Sequence, residues 1–207
     1  MLRKRTLKMT LLLVVGIATI AAGLAHSVPV AGQDDADTEA KIESAMSAAP
    51  STVSANATIL DTELDDAGEF VVLREGSNGW YCQADAPGTP GPDPLCFDET
   101  WLEWVYAFVA GEEPDTQVTG LAYMLQGGSE ASNTDPFATE PAAGEEWMTS
   151  PPHVMLIMPG DLVESGFSPD FESGTPWIMY GGTPYEHIMM PVTEGVMGEM
   201  AMATPAA

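Results

Sequence analysis

Basic side chains are nearly missing from this chain. Beyond position 33 only Lys41 and Arg74 are lysine or arginine, while all 31 acidic residues lie after that point. A polypeptide so short of cations cannot neutralise phosphates, which excludes nucleic acids and anionic membrane surfaces as partners. The acids are scattered rather than clustered, so solubility through self-repulsion explains them better than collective cation binding. Several motifs are missing too: no P-loop, dinucleotide fingerprint, HExxH pair or G-x-S-x-G elbow occurs. Past the first residues, no apolar run is long enough to cross a bilayer.

Cysteine is equally scarce. The pair Cys82 and Cys96 lacks the CxxC spacing of zinc sites and reads as one disulfide of an oxidising compartment. The loop it closes, ADAPGTPGPDP, is rich in proline and glycine and resists regular structure on its own.

The chain opens on MLRKRTLKM, followed by the apolar run TLLLVVGIATIAAGLA. A basic start, a short apolar core and small residues near Ala25 make a secretory signal peptide over residues 1–25, with cleavage points extending to 32. The alternative is an uncleaved anchor, although the run falls short of the roughly 20 residues that a spanning helix needs.

One α+β domain is expected over residues 38–193, followed by a disordered methionine-rich tail at 194–207. Residues 33–38 read as an exposed acidic lead, with Thr38 capping a short helix that Pro50 stops. EFVVLRE and GWYCQ, separated by GSNG, read as a hairpin turning at Asn78-Gly79. Asp98 caps an amphipathic helix from Glu99 to Ala110, with Trp101, Trp104, Val105 and Phe108 along one side and Gly111 ending it. VTGLAYMLQ, PHVMLIMPG, WIMY and EHIMMPV supply further strands. No βαβ rhythm is present, so the expected architecture is a mostly antiparallel sheet with that helix on one face.

Two groups of residues are candidates for chemistry. His153 with Met155, and His187 with Met189, are His-x-Met pairs on expected strands, where alternation points both residues of a pair to one face. On neighbouring strands they would form a soft ligand set suited to Cu(I), which Met197, Met200 and Met202 could extend. Against this, methionine is a common core filler, and the chain has 13 of them. The second group is the polar loop 127–139, where Ser129, Ser132, Asn133 and Asp135 offer hydrogen bonds to a small polar ligand. A serine hydrolase built on that loop with His153 is a further alternative. Arg74 reads as an ion-paired surface residue.

The segments AYMLQGGSEASNTDPFATEP, SPPHVMLIMP and GGTPYEHIMMPV resemble those of a family of exported bacterial proteins that has no known activity. The resemblance spans residues 41–192 and implies export and an envelope location, with no cofactor or catalytic residue attached. The sequence thus leads to an exported, acidic, non-enzymatic protein that binds a small polar ligand, a metal ion or an envelope protein. Copper binding and hydrolysis remain as alternatives.

Overall fold

The computed structural model describes residues 33–192. The expected signal segment and the tail at 194–207, with Met197, Met200 and Met202, lie outside these residues. Among the described residues, no helix is long and apolar enough to cross a membrane.

The fold is α+β, as expected. Helices α1 (Gln33–Ser47) and α2 (Ser51–Ser54) precede β1 (Thr58–Leu64), β2 (Phe70–Arg74), β3 (Tyr81–Gln83) and β4 (Leu95–Phe97). Helix α3 (Glu99–Ala110) leads to β5 (Gly120–Met124), β6 (Gly128–Glu130), β7 (Met148–Ser150) and β8 (His153–Ile157). Two 3-10 turns, Val163–Ser165 and Phe171–Ser173, precede β9 (Trp177–Met179) and β10 (His187–Pro191). Eight strands form one sheet in the order β2-β1-β3-β4-β5-β8-β10-β9, while β6 and β7 pair separately. Among the described strand pairs of this sheet, only β1–β3 is parallel.

Strand alternation divides the core into two faces. Ile59, Cys82 and Cys96 point to one side, packed with Ala45, Ala48 and Ala49 at the end of α1. Leu60, Phe97, Ala122, Met155, Trp177 and Met189 point to the other, against Trp101 and Trp104 of α3. Small side chains let α1 approach closely: Cys96 Sγ is 3.6 Å from the Ala45 carbonyl oxygen. That approach is a packing contact, because the oxidised sulfur carries no proton.

Helix α3 forms as its sequence dictates. Asp98 accepts from the Trp101 N–H with one carboxylate oxygen (3.0 Å) and from the Leu121 N–H with the other (2.7 Å). The cap therefore also ties the helix to β5. Gly111 ends it at φ 68°, in the left-handed region that glycine enters without strain. Cys82 and Cys96 are direct cross-strand partners on β3 and β4 and form the disulfide, with Cα atoms 4.0 Å apart.

Four expectations change. Helix α1 includes residues 33–38, so Thr38 lies inside the helix rather than capping it. Strands β2 and β3 do not form a hairpin, because β1 lies between them. β2 instead returns along β1 through the polar turn Asp65-Asp66-Ala67-Gly68, where the Asp65 N–H donates to the Glu69 carbonyl (2.8 Å). The loop 127–139 begins as strand β6, held by β7. Arg74 has no carboxylate partner among the described residues: its guanidinium donates to the Ser54 and Ala57 carbonyls, both at 3.0 Å.

Lys41 is salt-bridged to the nearly buried Asp61, Nζ to Oδ2 at 2.6 Å. Burial alone would raise the Asp61 pKa. The Lys41 bond and charge, with backbone N–H donors from Thr62 and Glu63, outweigh burial and lower it.

Candidate functional site

The strand register lays out the α3 face of the sheet residue by residue. Met124 on β5 is opposite His153 on β8. Met155 on β8 is opposite Met189 on β10, and His187 on β10 is opposite Met179 on β9. Directly opposed residues share a face, and successive same-face rows are about 7 Å apart. Four thioethers and two imidazoles thus tile one patch, all six residues buried.

The two His-x-Met strands are neighbours, as the metal reading required. Their antiparallel register, however, sets the histidines two rows apart, with backbones about 14 Å from each other. The imidazoles flank the Met155–Met189 pair instead of closing on a single point.

Both histidines are held alike. His153 Nδ1 lies 2.7 Å from the Pro151 carbonyl oxygen, and His187 Nδ1 lies 2.9 Å from that of Tyr185. A carbonyl can only accept, so Nδ1 carries the proton and Nε2 keeps the lone pair. Burial lowers both pKa values to about 4 against the opposing pull of those carbonyls; for His187 the neighbouring His153 adds to the lowering. Both rings are therefore neutral near pH 7. His153 Nε2 is buried and has no hydrogen-bond partner among the described residues.

Above this patch, a cleft of about 340 Å³ opens between α3 and the sheet. Trp101, Trp104 and Phe108 line it from the helix, and Met155, Met179 and His187 from the strands. The aromatic rings pack edge to face or stacked: Trp101 to His187 at 5.2 Å, Trp104 to Phe108 at 5.2 Å, and Tyr180 to His187 at 5.6 Å. The Trp101 and Trp104 indole N–H groups are buried without a partner among the described residues.

Glu130, at the end of β6, and Tyr180, just after β9, complete the walls. Burial, reinforced by the charge of Asp93, pushes the Glu130 carboxyl up to about 7. Burial, then Glu130 and Asp135, keeps the Tyr180 phenol protonated. Tyr180 has φ 56°, the one left-handed non-glycine backbone among the described residues, and its N–H donates to the Asn133 carbonyl at 2.8 Å. Such conformations persist only where the surroundings hold them. A second cleft of about 380 Å³ shares Phe108, Glu130 and Tyr180 with the first, so these three residues form the partition between them.

No family model, curated protein or solved structure matches the chain. Its chemistry is therefore read from its own residues.

The polar loop commits its groups to the loop itself and to the segments around β9. Ser132 Oγ accepts from the Thr134 N–H (3.1 Å) and the Asp135 N–H (3.0 Å). The Asn133 side chain donates to the Pro169 and Ile178 carbonyls and accepts from Trp177 Nε1. Asp135 Oδ1 accepts from the Phe137 N–H, and Ser129 is buried in β6. Neither His153 nor His187 hydrogen-bonds to Ser129 or Ser132, so these residues supply no nucleophile–base pair. Among the described residues, no three His, Cys, Asp or Glu side chains gather as a borderline or hard metal would require.

The sequence reading did not single out Glu130, Tyr180, Met124 or Met179. Glu130 is one of 31 acids, and nothing local distinguishes it. Met124 and Met179 become neighbours of the histidines only through strand register.

Proposed function

We propose that this is an exported, non-enzymatic binding protein that holds a small molecule with an apolar body between α3 and the sheet. The carrying observation is the aromatic cleft itself: mostly apolar walls, a few inward polar groups and a carboxyl with a perturbed pKa. Export is supported by the leader-like start and by the disulfide. The test is a titration with indole while the methionine methyl resonances are followed. Met155 and Met179 should shift, whereas methionines outside the cleft should not. A panel of apolar probes that moves neither methyl would overturn the reading.

A second reading, a soft-metal site for Cu(I), is favoured by one observation. The buried lone-pair nitrogen of His153 has no partner among the described residues and is surrounded in the register by Met124, Met155 and Met189. A Cu(I) titration in which replacing these residues changes nothing would remove it.

A further inference from the structure

Glu130 places a carboxyl in the cleft without a counter-charge. No described residue hydrogen-bonds to it, and its nearest charged influence is another acid, Asp93. Among the described residues no lysine or arginine is free for it. Beyond position 33 its only basic side chains are Lys41, held by Asp61, and Arg74, held by the Ser54 and Ala57 carbonyls. Both pack with α1, on the sheet face opposite the cleft. A carboxylate among aromatic rings, in a protein of strongly negative field, attracts a positive group from outside.

We propose that the cleft selects a small organic cation, an ammonium group carried on an aromatic or apolar body, with Glu130 as its counter-ion. The cation sits beside Glu130 against the Tyr180 ring, at the edge of the Trp104–Phe108 stack, and its apolar part fills the space between α3 and the Met155–Met179 wall. This inference rests on the cleft being a binding site. It adds the charge of the ligand and the residue that reads it.

The polar groups around Glu130 define how binding responds to pH. Asp93 faces it from the loop before β4, Tyr180 and His187 from the sheet side, and Asp135 lies farther along the 127–139 segment. Tyr180 stays protonated and His187 stays neutral between pH 5 and pH 8. Glu130, with its pKa near 7, changes state in the cleft over that interval; burial, then the hydrogen-bonded Asp85, also raises the Asp93 carboxyl, so the Glu130→Gln variant is what separates the two.

The probe is benzyltrimethylammonium, whose charge does not depend on pH, compared with its neutral isostere neopentylbenzene. Affinities are measured at pH 5 and pH 8, with the Met155 and Met179 methyl resonances reporting the site. The expected result is cation binding at pH 8 that weakens at least tenfold at pH 5. Glu130→Gln should weaken it at least tenfold at pH 8 and abolish the pH dependence. Neopentylbenzene should bind the wild type and the variant alike at both pH values, which also shows that the variant is folded. Equal, pH-independent binding of both probes would overturn the charge assignment and leave the cleft as a binding site. Cation binding that survives Glu130→Gln and disappears with added salt would place the cation on the acidic surface and overturn the inference. If neither probe moves the two methyls, the binding-site reading fails as well.

Discussion

Met155 and Met189 stand directly opposite each other across β8 and β10, and His153 is the next same-face residue on the Met155 strand. Its Nε2, fixed as the lone-pair nitrogen by the Pro151 carbonyl, has no hydrogen-bond partner among the described residues. Thioethers and neutral imidazole favour a soft monovalent ion over zinc. Cu(I) titrated anaerobically against a competing chelator should bind, and Zn(II) should not displace it. Met189→Leu, which keeps volume and apolarity, should weaken Cu(I) binding at least tenfold with little change in unfolding midpoint. Unchanged affinity in both Met189→Leu and His153→Gln would end the metal reading.

The same two histidines make the fold acid-sensitive. Their folded pKa values near 4 lie below the ordinary value of 6.5. Below pH 6.5 the unfolded chain takes up protons that the folded protein refuses. Stability is therefore fully present above that pH and falls as pH drops toward 4, by about 1.4 kcal/mol per pH unit for each ring. Glu130 acts in the opposite sense. Its folded pKa near 7 exceeds the ordinary 4.5, so its contribution is complete below 4.5 and is lost as pH rises through 7. Two imidazoles outweigh one carboxyl where the windows overlap. Urea unfolding followed by tryptophan fluorescence should show a midpoint that falls from pH 6.5 to pH 4.5. Glu130→Gln removes the opposing effect and should make the fall steeper. A flat profile would contradict the burial of both rings.

The disulfide joins β3 to β4 directly beneath the alanines at the end of α1. The chain-entropy model gives about 3 kcal/mol for closing a loop of this length. The paired replacement Cys82→Ala and Cys96→Ala should lower stability by about that much. It should also raise amide exchange in α1 and β3 more than in β8 and β10. Equal exchange changes across the sheet would show that the bridge acts on the unfolded chain alone.

Local signals were strong where a residue type acts on its own neighbours. Asp98, the tryptophan stripe and Gly111 specify α3 within a single stretch, and that helix forms with the expected bounds. The β9–β10 pair was equally readable, since a short glycine-rich turn joins two apolar strands. What could not be read was which distant segments meet. The patch of methionine and histidine depends on the registers of three strand pairs, and Glu130 reaches the cleft only because β6 pairs with β7. The Asn78-Gly79 turn signal misled for a related reason. Asn78 Oδ1 does accept from the Trp80 N–H, but its amide donates to the Val53 carbonyl at 2.7 Å. The turn belongs to a crossing rather than a hairpin.

That crossing gives a sharp test of the sheet order. After β2 the chain passes the start of β1 to reach the strand's other side. The Ser77 N–H donates to the Asn56 carbonyl (2.8 Å), and the Thr58 N–H donates to the Trp80 carbonyl (2.8 Å). Gly76 lies at the closest point: a Cβ there would stand 2.2 Å from the Thr58 nitrogen and 2.3 Å from the Ala57 carbonyl carbon. Both are backbone atoms at the entry to β1, so neither can turn aside as a flexible side chain would. Gly79 has φ 74° but open space around the same position, so a side chain there meets only the backbone preference. Gly79→Ala should cost about 1 kcal/mol, and Gly76→Ala at least about 3 kcal/mol. Urea midpoints of the two variants decide it. In a simple β2–β3 hairpin Gly79 would be the sensitive turn position and Gly76 an ordinary one, so a reversed order of effects would refute a β1 strand lying between β2 and β3.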